Sequence, residues 1–331
     1  MFQTEIVIFL QSFSSDLLTS IFNFFTEIGR STYTTPLMLI ILIGISFRAG
    51  FILVHVAAWN GLITLSLKEY FSLPRPATVD LNVKLLGKGY PNPTHFESMG
   101  AKGFFSGLPE HVVGYIRAHP IDSWGFPSGH TSHAVALWGS IFIFFKRTWI
   151  RIITVGMVVF IPLSRMYLGR HFLADILGGY LIGSTMVLVF YNLVFRNENL
   201  KAFIFEKSGK TRLDLKSVLV FAYFLAIPFL ILLVPNAYPK DTASFLGLNL
   251  GFLLIRSRGI PKDTGSILQR IARVLIAVIF FFVLQIALEK GANLLFTNEL
   301  MAVNFIQQTL AIMLFFWGST EINIKLGLFK R

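Results

Sequence analysis

The chain has no cysteine. That excludes disulfides, thiolate metal centres and a thiol nucleophile, and it leaves the redox compartment unread. Charge is scarce as well: 14% of the 331 residues are Asp, Glu, Lys or Arg, against roughly 25% in an ordinary soluble domain. Hydrophobic residues make up 54%, aromatics 15%, and the mean hydropathy is +0.67. A soluble sphere of this size could not hide so much apolar surface, so a typical soluble enzyme, a disordered chain and a coiled coil are excluded. No internal repeat stands out. No Lys or Arg precedes Arg30, so the N-terminus does not read as a secretory signal peptide. Acidic residues are the rarer charge, 17 against 29 basic, for a net +12. No basic stripe interleaved with aromatics lies on a polar segment, so nucleic acid is not an expected partner.

What the sequence has in abundance is long apolar runs. A membrane-crossing helix needs about 20 mostly apolar residues. Ten candidates lie near residues 5–27, 33–47, 49–71, 129–146, 149–166, 172–195, 217–235, 242–256, 268–289 and 299–318. The first is interrupted by Gln11, Ser12, Ser14, Ser15 and Asp16, and either spans or lies in the interface. The second and eighth are short. The expected class is an all-α, polytopic membrane helix bundle. Placing both termini in the cytoplasm puts most of the 29 Lys and Arg on the inner side, as cytoplasmic loops require. That assignment depends on an even number of spans; losing the first would move only the N-terminus.

The polar stretch 196–216 divides six candidate spans from four. One long outer loop, 72–128, exceeds a simple connection, and loops of that length are usually functional or partly folded. It carries Asn82, Tyr90, His95, Glu97, Glu110, His111 and His119, with Pro91, Pro93 and Pro120 as breakers. A short lid helix is expected around 107–117.

Three clusters resist the ordinary reading, in which charges at helix ends snorkel to the interface. The first runs from Lys68 to Arg75 and Pro76. On a helix that spacing is about two turns on one face, and Pro74 and Pro76 break the helix so that Arg75 can fold back toward Lys68. Two cations held together call for an anion. Taken alone, a basic membrane-end cluster explains these residues equally well. The second cluster, Pro127-Ser128-Gly129-His130, opens the fourth candidate span. Ser is an N-cap residue, Gly lets backbone approach a ligand, and the free N–H groups of a helix start attract anions. A simple cap beside an interfacial His is the competing reading. The third is Ser164-Arg165 followed by His171 and Asp175. His171 and Asp175 are four apart and share a helical face. A carboxylate on one imidazole nitrogen fixes the tautomer and makes the other nitrogen more basic. Arg165 adds a fork suited to phosphate oxygens.

With the orientation above, all three clusters fall at one outer face. Lys68, Arg75 and Arg165 then supply three positive charges, which suits a phosphate group. His171 and His130 supply a nucleophile and an acid.

These residues resemble a known family. Lys68-x6-Arg75-Pro76, Pro127-Ser128-Gly129-His130 and Ser164-Arg165-x5-His171-x3-Asp175 are similar to the three signature motifs of the type 2 phosphatidic acid phosphatase (PAP2) superfamily, which includes vanadium haloperoxidases and glucose-6-phosphatase. The resemblance covers roughly residues 1–196. It implies a six-span catalytic core over 1–200, a cytoplasmic linker at 201–216, and about four extra C-terminal spans of open role over 217–331. The extra spans and the Gly-Phe-Pro-Ser-Gly-His run resemble the sphingosine-1-phosphate phosphatase and glucose-6-phosphatase branch. The implied roles are His171 attacking phosphorus, Asp175 holding its ring, and His130 protonating the leaving alkoxide before deprotonating water. Lys68, Arg75, Arg165, Ser128 and the Gly129 N–H would bind the phosphoryl oxygens. No metal or cofactor is implied. His171 and Asp175 also have metal-ligand spacing, but three cations disfavour a metal there.

The expected function is an integral-membrane lipid phosphate phosphatase. Its substrate is a phosphomonoester or pyrophosphate lipid, reached from the bilayer on the non-cytoplasmic face, in the plasma or inner membrane if the chain is bacterial. A phosphotransferase passing the phosphoryl or head group to an acceptor hydroxyl is the alternative, and a transporter that kept the site by descent is a third. Arg170 either contacts substrate or snorkels. His55 and His133 read as structural, Gly179 and Gly183 as close helix packing, and Asn249, Gln285, Gln307 and Gln308 as interhelical hydrogen bonders. Oligomeric state is not legible.

Overall fold

The computed structural model describes residues 1–87, 94–119, 123–206, 215–232, 239–295 and 301–331. Tyr90, Pro91, Pro93 and Pro120 of the outer loop lie outside these residues, as do Lys88 and the linker residues Lys207, Lys210 and Arg212. The protein is all-α. Among the described residues no strand forms, only an isolated antiparallel bridge between Lys262 and Lys330.

In chain order the helices are α1 (Thr4–Ser12), α2 (Asp16–Ile28), α3 (Ser31–Leu39), α4 (Phe47–Phe71), α5 (Pro76–Val79), α6 (Glu110–Ala118) and α7 (Gly129–Phe144). There follow α8 (Thr148–Tyr167), α9 (Leu173–Phe190), α10 (Glu198–Phe205), α11 (Leu215–Ile231), α12 (Pro239–Arg258), α13 (Ile267–Leu295) and α14 (Met301–Lys325). π-helical turns extend α3 over Ile40–Ile45 and α9 over Tyr191–Phe195. By length and composition, four described helical segments can cross a membrane: Phe47–Val79, Thr148–Tyr167, Leu173–Phe195 and Ile267–Leu288. A fifth crossing counts if α2 and the α3 segment, bent by 50°, act together.

The first candidate span needs correction. Residues 5–27 are not one helix. The chain breaks at Phe13-Ser14-Ser15, where Ser15 caps α2 by accepting from the Leu18 N–H at 3.2 Å. A Ser in extended backbone offers its own oxygen to the next turn, which restarts the helix instead of continuing it. The resulting pieces of 9 and 13 residues are each too short to cross alone. The N-terminus accordingly lies at the end of its unit that carries the outer loop. The Met1 amine bonds the Phe104 carbonyl, the Phe2 carbonyl accepts from Ala101 N–H at 2.9 Å, and the Met1 carbonyl accepts from Ala174 N–H at 3.3 Å. The N-terminus therefore stands beside the start of α9, next to the third motif cluster.

The chain divides into two compact units. Unit 1 comprises residues 1–36 and 53–191. Its centre is α7 against α8 and α9. Glycines on α9 let α7 come close: a Cβ on Gly183 would stand 2.6 Å from the Ser132 carbonyl, and one on Gly179 2.8 Å from the Ser128 carbonyl. The close-packing expectation for these two glycines matches this geometry. The outer loop folds against the helix ends. Val79, Val112, Ile116 and Phe172 form a buried cluster with Phe2, Phe96 and Trp124 against it. The expected loop helix is α6. Gln11 stitches the loop down, donating to the carbonyls of Lys84 at 2.6 Å and Tyr167 at 3.0 Å and accepting from Lys84 N–H at 3.0 Å.

Unit 2 comprises residues 37–52 and 192–331. Its closest packing joins α12 and α14, where Gly247 faces the Thr309 carbonyl and a Cβ on Gly251 would stand 3.0 Å from the Met313 carbonyl. A ladder of rings fills its core, with Phe51 stacked on Phe252 at 3.9 Å and Phe47 on Phe316 at 5.5 Å. Helix α10, within the expected polar linker, was not foreseen. Asn197 caps it by accepting from Leu200 N–H at 2.9 Å. Two of the expected interhelical amides pair as read: Asn249 donates to the Phe224 carbonyl at 3.0 Å, and Gln308 to Ser244 Oγ at 2.8 Å.

Candidate active site

All eleven residues of the three motifs lie within unit 1. Helix α4 carries Lys68 to its last turn, ends at Phe71, and Ser72 turns the chain at φ +45°. Arg75 is therefore no longer on the helix. It lies near Lys68 because the turn brings it back, as Pro74 and Pro76 allow. Both cations grip the same stretch of backbone. Lys68 Nζ donates to the carbonyls of Trp124 at 2.6 Å and Gly125 at 3.2 Å, and Arg75 Nε donates to the Ser123 carbonyl at 2.9 Å.

That stretch leads into Ser128, the N-cap of α7. Its Oγ accepts from Thr131 N–H at 3.4 Å and Thr131 Oγ1–H at 3.0 Å, so its own hydroxyl proton is available to a ligand. Gly129 follows with open space: a Cβ there would meet only Lys68 Cε and Thr64 Cγ2, both at 3.8 Å. The first N–H groups of α7, unsatisfied by the helix, thus stand near the Lys68 side chain. His130 Nε2 is buried and makes no hydrogen bond.

The third cluster sits where α8 hands over to α9. Arg165, in the last turn of α8, is buried and donates through Nη1 to Thr26 Oγ1 at 2.7 Å; its Nε has no partner. His171 stands in the turn, 2% exposed, and Asp175 is fully buried. His171 Nδ1 and Asp175 Oδ2 are 3.0 Å apart. The same oxygen accepts from Phe172 N–H at 3.0 Å, and Asp175's carbonyl accepts from Ser128 N–H at 2.9 Å. Asp175 therefore orients the imidazole, caps the start of α9 and ties that start to α7. With Nδ1 occupied, the chemistry of His171 is left to Nε2.

Burial holds the His171 pKa well below its usual 6.5, and the nearby charges of Arg75, Lys68, Arg165 and His130 push it the same way. The imidazole is neutral at neutral pH, with a lone pair available. Burial also lowers the Arg170 pKa, aided by Arg30. Lys68, Arg75 and Arg165 all act on one imidazole, and the Asp175 carboxylate beside it also accepts from Phe172 N–H; an arrangement of this charge suits an anion.

Several contributors carried no sequence signal. Thr26, Glu27 and Arg30 come from α2 and the corner after it. Thr64 supports the start of α7 through Ser132 Oγ at 2.9 Å. Asp80, buried beside α5, is pushed up by burial but held below its ordinary range by the N–H groups of Asn82 and Ser98, the Thr4 hydroxyl and the Asn82 amide. It anchors the outer loop to α1. Of the loop histidines, His95 meets Tyr115 edge-on with centroids 5.0 Å apart and His119 stacks on it at 4.4 Å. His133 bonds Thr34 Oγ1 at 3.1 Å, and His55 is buried, both in line with structural roles.

An all-α membrane protein with a carboxylate-oriented imidazole inside a cationic pocket falls in the class of membrane enzymes that act on phosphoryl groups. Comparison with known proteins narrows the class. A family model described as the PAP2 superfamily matches residues 49–199, and one described as the PAP2 superfamily phosphatase transmembrane extension matches residues 240–331. The chain belongs to the PAP2 superfamily of phosphatases. Phosphatidylglycerophosphatase B of Bacillus subtilis (strain 168) is 25% identical over 210 residues, covering 60% of this chain and 82% of that protein. No solved structure matches.

Proposed function

We propose that the chain releases phosphate from a membrane lipid phosphate through a phosphohistidine formed on His171. The observation that carries this reading is the 3.0 Å contact between His171 Nδ1 and the buried Asp175 carboxylate, set among Lys68, Arg75 and Arg165. Nε2 of His171 attacks phosphorus, forming an N–P bond as the P–O bond to the lipid breaks. His130, in its protonated form, gives its proton to the leaving oxygen. A water then attacks phosphorus, losing its proton to the now neutral His130, and the N–P electrons return to His171. The products are the lipid alcohol and inorganic phosphate. Lys68, Arg75, Arg165, the Ser128 hydroxyl and the Gly129 N–H hold the equatorial oxygens, where charge collects in the transition state. These cations do the electrostatic work that a metal does elsewhere, so no metal enters the reaction. Arg170 is a substrate contact at the rim.

The site lies at the non-cytoplasmic membrane–water boundary in this reading. The basic excess in the opposite loops supports that face, and it lets a headgroup reach His171 while its tails stay in the bilayer. The name of the Bacillus relative, a phosphatidylglycerophosphatase, supports a glycerophospholipid phosphate as a substrate. The test is phosphate release by purified protein across a panel of lipid phosphates, with and without EDTA, beside His171→Ala. EDTA-resistant release that His171→Ala abolishes is the expected result. A folded protein that releases no phosphate from any member of the panel would overturn the hydrolase reading in favour of an acceptor-dependent transferase.

A further inference from the structure

We infer that Arg30 is a specificity residue that binds negative charge on the group leaving the phosphorus, so that the site favours lipids whose leaving group itself carries a phosphate anion. The inference rests on the role proposed for His130 as the acid at the leaving oxygen.

Helix α2 ends at Ile28 and α3 begins at Ser31, with a 50° bend between them, so Gly29 and Arg30 form a corner. The corner is built against the site. Thr26 Oγ1 accepts a hydrogen bond from Arg165 Nη1 at 2.7 Å. A Cβ on Gly29 would stand 3.4 Å from His130 Cδ2. One turn into α3, Thr34 Oγ1 meets His133 Nε2 at 3.1 Å. The chain on both sides of Arg30 is therefore fixed to the face of α7 and α8 that presents His130 and Arg165.

The cations divide into two sets about the two histidines. Those acting electrostatically on His171 are Arg75, Lys68 and Arg165. His130 feels Arg165 and Arg75 too, but also Arg30, and Arg30 acts in turn on Arg165 and Arg170. The corner that carries Arg30 stands against His130, with the Gly29 Cβ position 3.4 Å from His130 Cδ2, so Arg30 is placed to reach the His130 side, where the leaving oxygen departs. A neutral diacylglycerol leaving there gives Arg30 nothing to bind. A leaving phosphate, or a phosphodiester within the leaving lipid, does.

The present partner of Arg30 is exchangeable. Arg30 Nε pairs with Glu27 Oε1 at 3.1 Å, with half of the Arg30 side chain and 42% of Glu27 exposed. Such exposed pairs contribute little, whereas a guanidinium fork on a phosphate is among the stronger ionic contacts. Glu27 keeps the corner neutral until an anion arrives. Arg30 also lies before residue 49, where the superfamily match begins, so a reading of the motifs alone passes over it.

The experiment compares kcat/KM for phosphatidic acid, whose leaving group is neutral, with a prenyl diphosphate and with phosphatidylglycerophosphate, using wild type, Arg30→Gln and Arg30→Lys. Arg30→Gln should lower the ratio of charged-leaving-group to phosphatidic acid turnover by roughly tenfold, and Arg30→Lys should restore most of it. A loss confined to the prenyl diphosphate identifies a directly bonded phosphate as the ligand of Arg30; a loss confined to phosphatidylglycerophosphate identifies the more distant phosphodiester. An equal fall for all three substrates, or an unchanged ratio, overturns the inference. Calorimetry needs no turnover: wild type should bind inorganic pyrophosphate several-fold tighter than orthophosphate, and Arg30→Gln should lose that preference. Absence of the preference in wild type also overturns the inference. A folded enzyme that turns over none of the three lipids yet shows the preference instead counts against the hydrolase reading.

Discussion

Unit 1 and unit 2 both bury charged side chains, and they do so differently. In unit 1, Lys68, Arg165, His171 and Asp175 are buried within one neighbourhood. The cations there gather about His171, and the buried Asp175 carboxylate is hydrogen-bonded to it. In unit 2 the buried Arg273 joins α13 to the C-terminal tail, donating through Nε to the Leu328 carbonyl at 2.9 Å and through Nη2 to the Thr264 carbonyl. Asn323 donates to the carbonyls of Ser319 at 2.9 Å and Arg273 at 3.3 Å. Glu321 answers both Arg258 and Arg331. Unit 2 thus uses buried polarity to close its own backbone. Unit 1 gathers like charge about one imidazole. Both sets of cations reach backbone carbonyls; burial of charge points to function when like charges also gather about one titratable group, and to architecture when they serve only to close backbone.

That contrast is broken or sharpened most strongly at His171. His171→Ala should lower phosphate release by at least ~10³-fold while leaving the protein folded, measured as single-turnover product beside a thermal melt. Asp175→Asn keeps a hydrogen-bonding side chain but loses the charge that holds the tautomer. It should cost roughly 10²- to 10⁴-fold in kcat, and retention of activity within a factor of two would show that the carboxylate is architectural after all. Gly179→Ala tests the packing beneath the site. The new Cβ would stand 2.7 Å from Thr131 Cβ and 2.8 Å from the Ser128 carbonyl, so the start of α7 must move. Stability should fall by about 1–3 kcal/mol and kcat by about tenfold to a hundredfold. Arg273→Met probes the other unit. It removes donors from the Thr264 and Leu328 carbonyls and should cost about 1–3 kcal/mol of stability, with kcat of the folded fraction unchanged. A kcat effect as large as that of Gly179→Ala would erase the distinction between the units.

The smallest effect concerns pH. His171 must be neutral to attack, and its pKa lies well below 6.5. As pH falls through 6.5 the ring therefore stays neutral, and the acid limb of kcat/KM that belongs to His171 should lie below 6.5. Stability moves the other way in the same window. The unfolded chain takes up a proton on His171 near pH 6.5 while the folded chain does not, so the contribution is present above 6.5 and declines below it. A limb at or above 6.5 that disappears in no variant but His171→Ala would contradict the burial argument.

The sequence was most legible where helix geometry fixes spacing. The spacing of four brought His171 and Asp175 together, although not on one helical face as expected: His171 stands in the turn before α9 and meets Asp175 in its first turn; Ser128 ahead of an apolar run had to be a cap. Ser-Gly and Pro-rich punctuation gave the ends of α4 and α7 for the same reason. The N-terminal third was less legible. The polar interruption at Gln11–Asp16 was visible, but whether the helix ended there or ran through it was not, because apolar residues continue on both sides. Thr26 and Arg165 are 139 residues apart, and no spacing rule reaches that far. The outer loop is held by side-chain-to-backbone links such as Gln11 to Lys84, which have no local pattern, so only its helix α6 was foreseeable.

The most direct test of the account is to trap the covalent intermediate. Purified enzyme would be mixed with a terminally ³²P-labelled lipid phosphate, quenched in alkali within the first turnover, digested and mapped. The account predicts label on the peptide containing residue 171, stable to base, released by acid and absent from His171→Ala. Full turnover with no protein-bound label at any quench time, or label carried by a different residue, would contradict it.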